Sequence, residues 1–348
     1  MRVLLMGATG LLGNNVLETL LKARYDVTMI VRNPDSIVSI VVPEDVKQKL
    51  CQSNGDGEVF FNIQDSEIRV IKGNLTDVDL LCYVAKGCDA IINCAGDTDM
   101  SHRHLEDYYA VNRDLCAKLL KVAANVNIAT IVHVSTANTI GYGSFAQPAA
   151  EQAPMQPPFT KSWYALSKLE GERILVDDWT NTDIRVVVLN PGYIIGKYDV
   201  KPSSGKLLMA GWRKRIMLVP PGGKSFVSAT TVARAAVAAL SKGVGGERYL
   251  VTGENLTFRQ LFQIEARIGG YRQYIIVLPR GVCRLAGVIG DLIERCGIKV
   301  SFTSRNVNQL LVHEYYSNRK MVGELGVEHK PIAEAIEDFL MYKGLRAD

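Results

Sequence analysis

The chain begins MRVLLMGATGLLGNNVLETLLKARYDVTMIVRN (residues 1–33), and this stretch decides the reading of the fold. RVLLM (2–6) is a short buried strand by composition, LLGNNVLETLLKA (11–23) carries apolar residues at helical spacing, and VTMIV (27–31) is a second strand. Between the first strand and the helix stand Gly7, Gly10 and Gly13. At such a junction the free N–H groups and the positive end of the helix dipole converge on one point, which suits a phosphate. Glycine lets the backbone turn tightly and come close to a ligand. Gly7, Thr9, Gly10, Leu11, Leu12 and Gly13 are therefore candidate contacts to a dinucleotide. At the end of the second strand, where an acid would bind a ribose 2′-hydroxyl, the chain has Arg32 and Asn33. A guanidinium suits a 2′-phosphate, so NADP(H) is favoured, with NAD(H) the alternative.

Working outward, IRVIK (68–72), AIINCA (90–95), ATIVHVS (129–135) and DIRVVVLN (183–190) are further short runs rich in Val and Ile. Helical patterns lie near 78–86, 104–126 and 162–180. Strands without strict alternation, separated by helices, predict a parallel sheet covered on both faces. The fold class is α/β, a Rossmann-type doubly wound sheet over 1–190. An insertion at about 34–66 contains PEDVKQKL, a helical pattern, and the loose SNGDGE. Residues 191–348 read as a smaller, irregular substrate lobe, some of it returning to the main domain, with helices near 230–242, 257–268, 280–296 and 331–343. The pattern at 280–296 is amphipathic and is expected to pack on the core.

The bulk numbers fit. The 348 residues are 47% hydrophobic and 22% charged, as in an ordinary folded protein, and the net charge of +4 forms no basic stripe for nucleic acid. No run reaches the ~18 apolar residues of a membrane helix. The seven cysteines, an odd number without a CxxC pair, predict reduced thiols and a cytoplasmic protein.

The reactive group is read from SWYALSKLEGERIL (162–175). Tyr164 and Lys168, four apart, share a helix face. An ammonium and an oxidised nicotinamide both favour a phenolate, so the Tyr164 pKa is expected to be lowered. VHVSTAN (132–138) offers Thr136, or failing that Ser135, as the hydroxyl that polarises a substrate oxygen.

Together GATGLLG, GNLTD (73–77), NCAG (93–96), VNRDLCAKLL (111–120), HVSTA, YALSK and LNPGYIIG (189–196) resemble the extended short-chain dehydrogenase/reductase family of the NAD-dependent epimerase/dehydratase type. Within it, dihydroflavonol-reductase-like and 3β-hydroxysteroid-dehydrogenase-like members are closest. The match is good over 1–200 and loose beyond. It implies that Tyr164 is the general acid/base and that Lys168 binds the nicotinamide ribose and tunes the phenol. Asn74 and Leu75 would lie beside adenine, Cys94, Ala95 and Gly96 along the cofactor path, and Pro191 and Ile194 beside the nicotinamide. Asn112 resembles the family's helix asparagine. In family members Arg-Asp often begins the stretch where this chain has Lys224-Ser225, which weakens a diphosphate clamp. The implied function is hydride transfer between nicotinamide and a carbonyl or alcohol. The alternatives are a sugar-nucleotide epimerase or dehydratase, and a cofactor-binding regulator without turnover. The resemblance also implies a homodimer through helices about 104–126 and 162–180. Asp97, Asp99, His102 and His104 would face the substrate, and no metal site is expected.

Overall fold

In the computed structural model the described residues are 1–33, 43–45, 48, 57–63, 65–178, 183–200 and 204–345. The first half alternates strand and helix: β1 (Arg2–Met6), α1 (Leu11–Lys22), β2 (Asp26–Val31), β3 (Glu58–Ile63), β4 (Ser66–Lys72), α2 (Val78–Ala85) and β5 (Ala90–Asn93). There follow α3 (Asp114–Asn125), β6 (Thr130–Val134), α4 (Trp163–Asp178) and β7 (Arg185–Pro191). Among the described residues the main sheet runs β3-β4-β2-β1-β5-β6-β7 and is closed at its far edge by β11 (Arg248–Val251). All pairs are parallel except β3 with β4. The chain moves outward from β1 through β2 to β4, then crosses back to β5 on the other side. That reversal opens a crevice at the carboxyl ends of β1 and β5, where such sheets bind ligands.

Two apolar cores form because both sheet faces are covered. On one face Val3, Leu5, Val27 and Met29 pack with Val16, Leu17 and Leu20 of α1. Each such buried side chain contributes about 1.5–3 kcal/mol. Leu4, Met6, Ile91 and Ile131 point to the opposite face and meet Leu115 and Leu119 of α3. The strands read as continuous apolar runs because both faces are buried.

The second half supplies β8 (Tyr193–Ile195), α5 (Gly205–Gly211), β9 (Ile216–Val219), β10 (Gly223–Ser228) and α6 (Ala229–Lys242). After β11 come β12 (Glu254–Thr257), α7 (Phe258–Ile268), β13 (Tyr274–Val277), α8 (Arg280–Arg295), α9 (Ser304–Gln309), β14 (His313–Glu314) and α10 (Ile332–Tyr342). β10 is the centre of a small sheet, paired with β8, β12 and β14. β9 and β13 form a parallel pair of their own. A third core, with Phe226, Phe258, Phe262 and Phe339, holds this lobe. α6 packs its alanine face, with Val232, into the first core.

Three expectations are corrected. The segment 104–126 is not one helix: a 3₁₀ turn (Leu105–Tyr108) and a helical turn (Tyr109–Asn112) precede a break at Arg113, whose φ of −115° departs from a regular helix. The insertion contributes an edge strand, β3, which turns back on β4 with Asp65 at φ 67°. PEDVKQKL and SNGDGE lie largely outside the described residues. Finally, α8 does not bury its large apolar side chains.

Candidate active site

The candidate residues gather along one edge. Gly7, Arg32, Asn74, Cys94, Ser135 and Thr136 all lie just past the carboxyl ends of β1, β2, β4, β5 and β6, and Pro191 ends β7. Parallel register brings these ends side by side; Met6 pairs with Ile30 and with Asn93.

The glycine turn is built for close approach. Gly7 has φ +75°, and a Cβ there would meet the Ala95 nitrogen at 2.7 Å. A Cβ on Gly13 would lie 2.0 Å from the Gly7 carbonyl oxygen. Gly7 O accepts from Gly10 N at 3.1 Å, which shapes the entry into α1. No side chain caps α1, and its first turn holds no acidic residue. Its amide dipoles are thus left for an anion, and Gly10 is exposed to one. Thr9 and Leu11 are half-buried beside the turn, while Leu12 belongs to the core. Arg32 and Asn33 are exposed one and two residues beyond β2.

Asn74 is exposed, and its side-chain oxygen accepts from the Thr76 N–H at 3.1 Å. Leu75 is half-buried against the second core. At β5 the Asn93 amide bridges the Ala95 N–H (3.0 Å) and the His133 ring (3.1 Å), fixing the path of Cys94-Ala95-Gly96. Burial pushes the Cys94 thiol up to about 12 and holds His133 well below its ordinary range. A Cβ on Gly96 would meet the Lys168 ammonium at 3.0 Å. The absent side chain leaves a cradle beside that amine, in line with the glycine turn. These features fit a dinucleotide.

α4 carries Tyr164 and Lys168. Its buried face holds Ser167, Lys168 and Glu172 as well as Ala165 and Leu175. Polar groups on a buried helix face are costly unless partnered, so this face marks a site rather than a core. Tyr164 is partly exposed, and the Thr136 hydroxyl lies beside its phenol. Burial pushes the phenol up to about 12, opposed by the neighbouring Thr136 hydroxyl and reinforced by the charges of Glu172 and Asp97. The expected lowering rests on an oxidised nicotinamide as well as on the ammonium. Lys168 donates to the Val134 carbonyl at 3.0 Å, and burial lowers its own pKa. The phenol is therefore held protonated, the form that donates to a carbonyl oxygen.

Ser135 faces elsewhere. Its hydroxyl donates to Glu172, which also accepts from Thr139 (2.7 Å) and Asn190 (2.8 Å) and pairs with Arg248 at 3.1 Å. Asn190 in turn donates to the Thr136 carbonyl at 3.1 Å. Glu172 is the framework residue that sequence reasoning missed, yet Tyr164, Lys168 and Glu172 are spaced by four and share one face. Pro191 is buried; Ile194 is half-buried against the first core.

The loop over the cleft is tied down by Asn112. Its side-chain oxygen accepts from Asp97 N (2.8 Å), and its amide donates to Asp97 O (2.9 Å) and Ser167 (3.0 Å). Asp97 pairs with His102 at 2.9 Å, and Tyr108 donates to Asp99 O at 2.5 Å. His104 stacks on Trp163. Among the described residues no cluster of His, Cys, Asp or Glu could hold a metal, and the six described cysteines are free. No helix among them is long and apolar enough to cross a membrane.

Comparison with known proteins agrees with this architecture. The chain is 24% identical to a sterol demethylase protein B of Methylococcus capsulatus over 85% of this chain and 83% of that protein. It is 25% identical to a putative dihydroflavonol 4-reductase of Synechocystis over 95% of this chain and 91% of that protein. In fold it resembles a mutant UDP-glucuronic acid 4-epimerase of Bacillus cereus, solved with a substrate analogue and NAD. That likeness has a TM-score of 0.73 and 18% identity, and covers 99% of this chain and 100% of the other. The family model of the NAD dependent epimerase/dehydratase family matches residues 3–252. The chain belongs to that family.

Proposed function

We propose that the protein is an NADP(H)-dependent oxidoreductase that interconverts a ketone and a secondary alcohol, with Tyr164 as general acid/base. The observation that carries this reading is the juxtaposition of the Tyr164 and Thr136 side chains, set one helical turn from Lys168 at the Gly96 cradle. The nicotinamide, when bound, supplies or accepts the hydride. Gly7, Gly10 and Gly13 would hold its pyrophosphate against α1, and Lys168 its ribose. Thr136 orients the substrate oxygen toward the phenol. Tyr164 then gives its proton to that oxygen as negative charge builds there in reduction, and takes one back in oxidation.

Lys224 and Glu314 favour this reading over sugar-nucleotide chemistry. Lys224 stands where family members often have Arg, and it is buried in an ion pair with Glu314. Its charge is already matched, so it is poorly placed to hold a diphosphate. A homodimer through the helices at about 104–126 and 162–180 is part of the proposal, checked by sedimentation.

The test is nicotinamide fluorescence during incubation of NADPH with a panel of cyclic ketones and, separately, with UDP-sugars. Oxidation of NADPH by a ketone supports the reading, whereas sugar conversion without net cofactor change overturns it. Arg32, exposed at the end of β2, is proposed to read the 2′-phosphate. Arg32→Asp should weaken NADPH binding by about 10–100-fold, the worth of a charge-assisted hydrogen bond, and leave NADH almost unchanged. An equal change for both would remove Arg32 from that role.

A further inference from the structure

α8 is inverted relative to a core helix. Its buried residues are Cys283, Gly287 and Gly290, spaced four and three apart and so on one narrow face. That face rests on the chain leading into α9. A Cβ on Gly287 would meet Ser304 Cα at 2.9 Å, and one on Gly290 the Phe302 carbonyl oxygen at 2.3 Å. The helix lies close because its contact face is small. The large side chains point outward: Val282, Leu285, Val288, Ile289 and Leu292 are 47–62% exposed. β13, which ends just before α8, adds exposed Ile276 and Val277, and its partner β9 adds exposed Ile216 and Leu218. Scattered apolar residues on a surface need no explanation, but a full stripe on one helix does.

We propose that this face docks the protein on an anionic lipid surface. Charge selects the partner. Arg280 and Arg284 on α8, Arg272 before β13, and Arg213, Lys214 and Arg215 before β9 are all exposed. Arg295 and Lys299 extend the fringe past the other end of the helix. The two acids of α8 are engaged with the protein: Asp291 accepts from the Ser304 N–H at 2.8 Å, and Glu294 lies 3.9 Å from Arg305. An apolar stripe bordered by cations matches the boundary between acyl chains and acidic headgroups. A second copy seated on the same face by a two-fold axis would oppose cation to cation. At 16 residues, with charges along it, α8 lies on a bilayer rather than across it.

The docked face adjoins the candidate cleft. Arg103, in the loop over the site, donates to the Glu294 carbonyl at 3.0 Å, and the Arg305 guanidinium stacks on Trp163 at 3.4 Å, next to Tyr164. Docking would bring the mouth of the site to the lipid surface. The docking itself does not depend on the proposed chemistry.

The test is flotation of the full chain with vesicles of phosphatidylcholine alone and of an equal mixture with phosphatidylglycerol. The expected result is binding to the mixed vesicles, weaker by ~10-fold or more on pure phosphatidylcholine and in high salt. The exposed double substitution Leu285→Glu with Ile289→Glu should abolish it while leaving the circular dichroism melt and NADPH binding unchanged. Should that variant melt early, Arg280→Gln with Arg284→Gln carries the test, with the same loss expected. Native protein that stays out of the vesicle fraction overturns the proposal, as does an apolar variant that floats as well as the native chain. A variant that only converts a sedimenting dimer to monomer, without native vesicle binding, assigns the face to a second copy and overturns it too.

Discussion

Glu172 on α4 and Glu265 on α7 are both completely buried, and their surroundings could hardly differ more. Glu172 gathers Ser135, Thr139, Asn190 and Arg248 around its carboxylate. Neither oxygen of Glu265 has a hydrogen-bond partner among the described residues. Glycines divide in the same way. Gly7 and Gly13 bring a strand end, a helix start and residues 94–95 together around a polar turn, with the large residues of α1 inside. Gly287 and Gly290 bring α8 close to its support and leave the large residues outside. The first lobe thus spends its buried polarity on fixing a site. Buried polar atoms without a hydrogen-bond partner occur in both lobes, but in the second Glu265 leaves both carboxyl oxygens unmatched, which makes that position sensitive to pH.

The largest expected effect strikes the first lobe. Gly13→Val puts carbon where the Gly7 carbonyl oxygen lies, a clash with backbone that no rotamer relieves. NADPH binding should be lost in a fluorescence titration, and the thermal melt should fall by the equivalent of about 1–3 kcal/mol or more. Gly10→Ala is the control, because its Cβ would sit 3.5 Å from Gly7 O, an ordinary contact. If the two variants melt alike, the turn is not packed as described.

Next comes the chemistry. Tyr164→Phe removes only the hydroxyl beside Thr136. It should lower kcat by about 10²–10⁴-fold with little change in cofactor affinity. Retained turnover would separate the polar face of α4 from catalysis and leave Glu172 as a structural residue alone.

Much of this was legible from residue spacing. The glycine turn announced itself because three glycines fall together at a strand-to-helix junction, and Tyr164 with Lys168 because four residues make about one helical turn. What stayed hidden was direction. Ser135 and Thr136 are adjacent past a strand end, where successive side chains take opposite sides, and nothing local says which side is the cleft. The pattern of α8 reveals an apolar stripe but not that the stripe faces out; that follows from the glycines, whose contact with Phe302 and Ser304 exists only in three dimensions. β3 escaped because EVFFNI sits within an insertion and gains its pairing from β4. The Val134 carbonyl that holds the Lys168 ammonium comes from a distant strand, so spacing along the helix does not show it.

The unmatched carboxyl gives an effect of intermediate size. Burial raises Glu265 from an ordinary carboxylate to about 8. Between its unfolded and folded pKa values the folded state binds the proton and the unfolded state does not. Stability therefore falls as pH rises through that window, by roughly 2 kcal/mol between pH 6 and pH 8 for a group near 8. Glu314, raised to about 7 by its own burial beside Lys224, acts in the same direction. The difference between native protein and Glu265→Gln in urea unfolding isolates the one group. The variant should lose that part of the slope and be the more stable protein at pH 8. Parallel profiles would mean that Glu265 is partnered in solution, and the contrast with Glu172 would fail.

The smallest effect is the sharpest test of the matched carboxyl. Ser135 and Thr136 are neighbouring hydroxyls in different settings, one bonded to Glu172 and the other beside Tyr164. Ser135→Ala removes one donor from Glu172 but leaves Thr139, Asn190 and Arg248 in place. A partly satisfied buried carboxylate loses about 1 kcal/mol at the low end of the usual range, since its other donors remain. The melt should shift by that amount while kcat stays within about twofold, because no atom near the phenol is removed. Thr136→Val should do the reverse, lowering kcat with a smaller change in stability. If instead Ser135→Ala loses turnover and keeps its melt, the serine reaches the substrate during the reaction. Glu172 would then act on the chemistry through it rather than on the fold.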